Sequence, residues 1–120
     1  LDFMRSKMDL FQKTGGCHGA ALLDSYGNVA YVSEDIGRHN AVDKTIGLAL
    51  FSGILAFNEY TLLLSGRCGW DIVAKATRIG ISSIASVGAF SSAALDLARA
   101  NGISLYGFVR ETGAWKAGIN

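Results

Sequence analysis

The sequence contains no proline, so glycine must supply most of the tight chain reversals, and 15 glycines are present. It contains only two cysteines, Cys17 and Cys68. They are too few for a secreted disulfide framework and too widely spaced for a paired-cysteine zinc motif, although a single disulfide between them stays open. These absences favour a protein of the cytoplasm.

Two further absences narrow the class of partner. No apolar stretch reaches the length of a membrane span, and no secretory signal is recognisable. The formal net charge is only +1, whereas broad nucleic-acid binding needs a clustered basic surface. We therefore expect a cytoplasmic domain of 120 residues that buries one core and has no nucleic-acid or membrane partner.

What is present is an alternation of helix-like and strand-like apolar patterns. Helices are predicted over 2–13, 41–55, 70–79 and 93–101, and strands over 19–24, 29–34, 60–64, 81–87 and 103–109. Strands that alternate with helices are typical of an α/β fold. The pattern predicts a three-layer sandwich with a mixed, mostly parallel sheet that starts with a β-hairpin.

The segment 26–28, with the sequence Tyr-Gly-Asn, is typical of a hairpin turn between the first two strands. An antiparallel hairpin brings the start of its first strand beside the end of its second strand. We therefore expect His39 to lie across the hairpin from His18, with Arg38 nearer to a ligand.

The segment 35–44 combines a helix start with an unusual density of functional groups. Its charged or titratable side chains are Asp35, Arg38, His39, Asp43 and Lys44. Asn40 is predicted to cap the helix that follows, with Asp43 reaching back to the cap. A purely structural role explains Asn40 and Asp43 but leaves Arg38 and His39 unexplained.

Ligands of α/β sheets bind beyond the carboxyl ends of the strands, near the N-termini of helices. Five segments are predicted at that edge, namely 15–18, 35–40, 65–69, 88–92 and 110–113. They bring together glycines, backbone amides and the basic residues Arg38, His39, Lys44, Arg67 and Arg110. This combination is typical of a site for a phosphate-bearing small molecule.

Other interpretations of the same residues stay open. Both histidines can be hydrogen-bonded structural residues, and Cys17 can be buried rather than reactive. Cys17, His18 and His39 could meet across the hairpin, but a zinc site needs a fourth ligand that the sequence does not make evident.

Four motifs occur in order along nearly the whole chain. They are Thr-Gly-Gly-Cys-His at 14–18, Glu-Asp-Ile-Gly-Arg-His-Asn-Ala-Val-Asp-Lys at 34–44, Ser-Gly-Arg at 65–67 and Leu-Tyr-Gly-Phe-Val-Arg at 105–110. In order and spacing, these motifs resemble the FdhD family. Its members are sulfur carrier proteins, or accessory sulfurtransferases, for formate dehydrogenase.

The resemblance implies a fold similar to that of cytidine deaminases, without their zinc chemistry, and a cytoplasmic homodimer. It implies that sulfur passes from a cysteine desulfurase to the molybdenum cofactor, bis-molybdopterin guanine dinucleotide, before that cofactor enters formate dehydrogenase. GDP would then be a partial mimic of the bound cofactor. The residues that the resemblance places at the cofactor are Gly16, Cys17, His18, Gly37, Arg38, His39, Asn40, Lys44, Ser65, Gly66, Arg67, Ser91, Phe108, Val109, Arg110, Glu111, Thr112 and Gly113.

The sequence also departs from the family pattern. The family's persulfide-carrying cysteine lies in a Cys-x-x-Cys loop upstream of the glycine-glycine-cysteine-histidine motif, and no such loop occurs here. We therefore expect residues 1–120 to be the C-terminal, cofactor-binding domain of a longer protein, or a degenerate member, without a catalytic residue of its own. Cys17 is not expected to carry sulfur. Further departures are Cys68, Gly69, Phe90 and Ala114.

Two other functions stay open. One is a zinc-dependent hydrolase related to nucleoside deaminases, for which Glu34 is the nearest candidate catalytic acid, although paired cysteine ligands are absent. The other is a nucleotide-binding or dimerisation module without catalysis.

Overall fold

The computed structural model describes residues 18–109 and 113–117. These residues form six strands and three helices. The strands are β1 (His18–Leu23), β2 (Val29–Asp35), β3 (Thr61–Leu64), β4 (Ser83–Ser86), β5 (Ser104–Val109) and β6 (Gly113–Ala117), and the helices are α1 (Arg38–Phe51), α2 (Trp70–Ile79) and α3 (Ser92–Ala100). The helix predicted over 2–13 lies outside the described residues.

The strands form one mixed sheet in the order β2-β1-β3-β4-β5-β6. Strands β3, β4 and β5 run parallel, and helices α2 and α3 make the crossovers between them. Strand β1 is antiparallel to both β2 and β3, and β6 is antiparallel to β5. The mixed α/β class is confirmed, but among the described strands only two of the five pairings are parallel, so the expectation of a mostly parallel sheet is wrong.

The first two strands form the expected antiparallel hairpin. Gly27 adopts a left-handed φ of 84°, and the Asp24 carboxylate accepts hydrogen bonds of 2.9 Å from the N–H groups of Tyr26 and Asn28. The resulting register places His18 opposite Asp35. The start of β1 therefore lies beside the end of β2, as predicted.

Alternate residues of the central strands bury both faces of the sheet. One face packs against the buried sides of all three helices and consists of Ala20, Leu22, Leu62, Leu64, Ile84 and Leu105. The opposite face buries Ala21, Leu23, Leu63 and Ala85. Burial on both faces explains why these strands have continuous apolar sequences rather than alternating ones.

A buried hydroxyl fixes the first helix to the sheet. The Thr45 oxygen lies 3.0 Å from the carbonyl oxygen of Ala20 in β1 and 2.9 Å from that of Ala41 in the helix, so it shares one proton between strand and helix. The Thr45 side chain is fully buried. This contact fixes the rotation of α1 about its axis and hence the direction in which its first turn points.

The start of α1 differs from the prediction. The helix begins directly after Gly37, which is its N-cap, so Asn40 lies within the first turn. The Asn40 amide approaches the Asp35 carboxylate at 3.4 Å, and Asp43 binds Lys75 of α2. The capping prediction for Asn40 and Asp43 is therefore wrong, because the helix starts three residues earlier than predicted and both side chains have partners other than the cap.

The end of α1 and the last strand also differ from the prediction. Helix α1 ends at Phe51, where Gly53 turns the chain with a φ of 96°. Strand β6 is absent from the sequence prediction because its residues, Gly-Ala-Trp-Lys-Ala, have low strand propensity apart from the tryptophan, and pairing with β5 makes them a strand. In the part of the chain that the structure describes, no helix has both the length and the apolar character to cross a membrane.

Candidate ligand-binding edge of the sheet

One edge of the sheet collects the ends of β2, β3, β4 and β5 and the starts of all three helices. Because β1 runs antiparallel to its neighbours, its first residue, His18, lies at the same edge. We call this region the loop edge and define it by His18 and the segments 35–40, 65–71 and 87–92. Such an edge is where α/β sheets bind ligands.

Backbone hydrogen bonds join the loop after β3 to the loop after β4. The Cys68 N–H donates to the Ala89 carbonyl at 3.1 Å, and the Ser91 N–H donates to the Cys68 carbonyl at 3.2 Å. The Ser91 hydroxyl caps α3 by accepting a hydrogen bond of 3.1 Å from the Ala94 N–H. Ser91, predicted at the ligand, is thus present at the edge with its hydroxyl oxygen engaged in the helix cap.

The same two loops also make a close contact that only glycine allows. A Cβ atom at Gly88 would lie 2.6 Å from the backbone nitrogen of Arg67 and 2.8 Å from the carbonyl carbon of Gly66. The buried Ser86 hydroxyl donates to the Gly66 carbonyl beside this contact. The backbone of the Ser-Gly-Arg motif is therefore held on one side, and the Arg67 side chain is exposed.

His18 and the start of β1 lie against the backbone of the Ser-Gly-Arg motif. The Gly19 N–H donates to the Ser65 hydroxyl at 2.8 Å, and the Ser65 N–H donates to the Gly19 carbonyl at 3.1 Å. A Cβ atom at Gly66 would lie 3.3 Å from Nδ1 of His18. The imidazole of His18 therefore packs on the backbone at Gly66.

His39 has a different partner. Its Nε2 lies 2.7 Å from Oδ2 of Asp71, in the first turn of α2. The two histidines lie at the same edge of the sheet, but His18 contacts Gly66 and His39 binds Asp71. The Arg38 guanidinium reaches the start of α2, where its Nη2 lies 3.9 Å from the position of a Cβ atom on Gly69.

The charges of the loop edge divide into paired and unpaired groups. Lys44 Nζ lies 2.7 Å from Oδ2 of Asp35. The hydrogen bond from Lys44, followed by that from the Gly37 N–H, lowers the pKa of Asp35 to about 2. Arg38 and Arg67 make no ion pair with any residue of the described ranges. Within the described residues, the two arginines are therefore cations that this edge can offer to an anion.

The first turn of α1 adds backbone donors to these cations. Its N-cap, Gly37, has no side chain that could accept a hydrogen bond from the turn, and the turn contains no acidic residue. The first intrahelical bond runs from the Ala41 N–H to the Gly37 carbonyl, so the N–H groups of residues 38–40 precede the helical ladder. Uncapped N–H groups at a helix N-terminus favour a bound anion.

Cys68 lies inside the loop edge but is not exposed on it. Its residue is 1% exposed, and burial, together with the negative charge of Asp71, raises the pKa of its thiol to about 12, although Arg38 opposes this shift. A thiol with so high a pKa is almost wholly protonated at neutral pH, and the thiolate is the nucleophilic form. Cys68 is therefore set up as a packing residue.

Several predicted site residues fall at or beyond the limits of the described chain. Gly16, Cys17, Arg110, Glu111 and Thr112 lie outside it. Val109, at the end of β5, pairs with Gly113, at the start of β6, and Phe108 pairs with Ala114. Of the predicted segment, the backbone thus brings Phe108, Val109 and Gly113 to the same edge as Arg38 and Arg67.

Asp71 belongs to the loop edge, and Ser86 lies directly before it, but neither was recognisable from the sequence as a member of a site; Gly88 was predicted at this edge only as part of the segment 88–92. An acidic residue in the first turn of a helix is usual because of the helix dipole, so Asp71 carries no signal by itself. The described residues hold no group of three or more histidine, cysteine, aspartate or glutamate side chains that could bind a metal ion.

The chain is similar in sequence to a defined family. The model of the FdhD/NarQ family matches residues 1–115. The chain is 46% identical over 110 residues to a sulfur carrier protein FdhD of Picrophilus torridus, an alignment that covers 92% of this chain and 42% of that protein. It is 46% identical over 109 residues to a sulfur carrier protein FdhD of Streptomyces avermitilis, covering 91% and 39%. The chain therefore spans less than half the length of these relatives.

Solved structures show the same likeness. A protein from Desulfotalea psychrophila, assigned as a formate dehydrogenase accessory protein, superposes with a TM-score of 0.81 at 31% identity, over 96% of this chain and 54% of that chain. The dCMP deaminase of cyanophage S-TIM5 superposes with a TM-score of 0.67 at 11% identity, over 87% and 93%. The deaminase likeness concerns the fold alone, and it confirms the predicted deaminase-like architecture.

We expect Gly88→Ala to disturb the loop edge. Its methyl group would meet backbone atoms that cannot rotate away, so the two loops must separate, and overpacking of this kind costs about 1–3 kcal/mol. Gly47→Ala is the matched control, because a Cβ atom at Gly47 in α1 meets nothing within 4 Å and alanine is the better helix former by about 0.5–1 kcal/mol. Urea unfolding of both variants tests this, and equal stability would contradict the close contact.

Proposed function

This chain belongs to the FdhD/NarQ family, and from that premise we propose that its domain binds the guanine nucleotide end of the molybdenum cofactor during sulfur delivery for formate dehydrogenase. The observation that carries the proposal is that an uncapped helix N-terminus lies at the same edge as Arg38 and Arg67, which make no ion pair with any described residue. The names of the relatives, sulfur carrier protein and formate dehydrogenase accessory protein, support the process in which this binding takes place.

The chemistry of the loop edge suits a diphosphate. The guanidinium groups of Arg38 and Arg67 present planar donors that can bind phosphate oxygens in pairs. The N–H groups of residues 38–40 supply further donors beside Arg38. The edge can therefore bind the two phosphates that GDP shares with each nucleotide arm of the cofactor, and the backbone of Val109 and Gly113 lies at the same edge.

In the proposed reaction sequence, the role of this domain is to hold the cofactor in place. A carrier thiolate attacks the persulfide of a cysteine desulfurase, takes the outer sulfur atom, and releases the desulfurase cysteine as a thiolate. Arg38, Arg67 and the N–H groups of residues 38–40 would hold the cofactor by its diphosphate, so that the carrier persulfide could approach it before the cofactor passes to formate dehydrogenase. Because the cofactor is held in place, the sulfur transfer takes place within one complex and not between freely diffusing molecules.

In this proposal Cys68 is not the cysteine that carries sulfur. Cys68 is buried and its thiol pKa is raised to about 12, so it lacks both the exposure and the ionisation that sulfur exchange needs. The chain spans less than half the length of its relatives, so the sulfur-carrying step and the partners of the whole protein are part of the proposal. A homodimer and a cytoplasmic location stay predictions of the family resemblance.

We expect GDP to bind the folded protein and Arg67→Ala to weaken binding by about 1–3 kcal/mol, or roughly 5- to 150-fold, because a charge-assisted contact to phosphate is lost. Isothermal titration calorimetry measures both affinities. Arg78→Ala is the matched control, since Arg78 is an exposed arginine in the last turn of α2, away from the loop edge. No GDP binding by the wild-type protein, or equal loss in both variants, would contradict the proposal.

We expect Cys68 to resist persulfidation in the folded protein. Incubating a Cys17→Ser variant with a cysteine desulfurase and cysteine, followed by alkylation and mass spectrometry, should leave Cys68 without added sulfur, because the thiol is neither exposed nor ionised. Treating the same variant with polysulfide in guanidinium chloride is the positive control, since unfolding exposes the thiol. A stable persulfide on Cys68 under native conditions would overturn its assignment as a packing residue.

A further inference from the structure

Two ion pairs connect α1 to α2 at matching positions. His39 Nε2 lies 2.7 Å from Oδ2 of Asp71, and one helical turn further along both helices Lys75 Nζ lies 2.5 Å from Oδ1 of Asp43. We call them the edge pair and the second pair. Only the edge pair lies at the loop edge. The second pair is therefore an internal control, because breaking it removes an ion pair between the same two helices away from the loop edge.

The Asp71 carboxylate is anchored by both of its oxygens. Oδ1 accepts a hydrogen bond of 3.0 Å from the Ile72 N–H, which fixes the carboxylate to the first turn of α2, and Oδ2 faces His39. Partial burial raises the pKa of Asp71, but the positive charge and hydrogen bond of His39, together with backbone hydrogen bonds, outweigh it, so the net pKa is lowered. The imidazole of His39 is therefore held in one orientation relative to α2.

Asp71, a member of the edge pair, also lies near the Arg38 guanidinium. A Cβ atom on Gly69 would lie 3.1 Å from Oδ1 of Asp71 and 3.9 Å from Nη2 of Arg38. Arg38 is the residue directly before His39 and begins α1. The residue that holds His39 thus also borders the guanidinium, across a gap that Gly69 keeps free of a side chain.

We propose that Asp71 is a positioning residue: by binding His39 it fixes the first turn of α1, and with it Arg38, in the place where phosphate is bound. This inference rests on the proposed function, because the phosphate is that of the guanine nucleotide. In this role Asp71 acts through His39 rather than through a contact of its own with the nucleotide.

The direction of the change in phosphate affinity on removal of Asp71 distinguishes a positioning role from a direct electrostatic effect of its charge. Asp71 is a negative charge close to an anion site, so its removal by electrostatics alone would strengthen phosphate binding. Loss of positioning has the opposite sign, since an unfixed Arg38 must be ordered when the ligand binds. The side chains of His39 and Asp71 are 38% and 52% exposed, and ion pairs so exposed add little to stability. A large loss of affinity with little loss of stability is therefore the signature of positioning.

The first experiment compares GDP affinities by calorimetry. Asp71→Ala should weaken GDP binding by about tenfold, and Asp71→Asn, whose amide oxygen can still accept from His39, should restore part of it. Lys75→Gln breaks the second pair and should leave the GDP affinity within about twofold of the wild type. Thermal unfolding identifies any variant that is not folded at the assay temperature. Binding to Asp71→Ala that equals or exceeds the wild type, or an equal loss in Lys75→Gln, would overturn the inference.

A second measurement does not depend on GDP. The chain has two histidines, so an imidazole ¹⁵N spectrum contains two ring systems, and His39→Gln assigns them. Asp71→Ala should shift the His39 ring signals and the Arg38 and Gly69 amide signals, while Lys75→Gln should leave them in place. Absence of GDP binding by the wild-type protein would refute the proposed function alone; unchanged His39, Arg38 and Gly69 signals in Asp71→Ala would refute the positioning role.

Discussion

The close backbone contact at Gly88 is the constraint on which the loop edge depends. The loops after β3 and β4 approach so closely that a single methyl group at Gly88 has no room beside Gly66 and Arg67. The Ser86 hydroxyl and the hydrogen bonds of Cys68 hold the same loops together. Because α2 and α3 start directly after these loops, the contact also sets where two of the three helix N-termini lie.

On this backbone the local acids are each matched to a basic neighbour. Asp35 is paired with Lys44, and Asp71 with His39, so neither carboxylate stands alone beside the anion-binding groups. The pairs leave Arg38 as an unpaired cation within the described chain. A nearly neutral protein thereby presents a local excess of positive charge without a basic surface, which suits one small phosphate-bearing ligand better than a polyanion.

Much of this arrangement could be predicted from local sequence. Apolar periodicity and glycine positions predicted the hairpin, the helices and the edge of the sheet at which Arg38 and the Ser-Gly-Arg motif lie. The N-cap of α1 was mispredicted because Asn40 and Asp43 match a cap by residue type while their actual partners, Asp35 and Lys75, are set by the fold. Strand β6 needs β5 as a template, and β-propensity depends strongly on such context.

Asp71 illustrates a different limit of sequence reasoning. Its distance of 32 positions from His39 in the chain gives no local signal, and an acid in a first helical turn is ordinary. Only the packing of α1 and α2 on the same face of the sheet brings the two side chains together. The residue types of the site were thus visible in the motifs, whereas the contacts that orient them required the tertiary structure.

The central claim, that the loop edge is the ligand site, is tested most directly by mapping GDP on the ¹⁵N-labelled protein through amide chemical shifts. The account predicts that the largest changes occur at residues 38–40 and 65–69, saturating with GDP concentration. Changes concentrated instead along the edge strand β2, or at the exposed end of α1 around Phe51, with those segments unmoved, would contradict it.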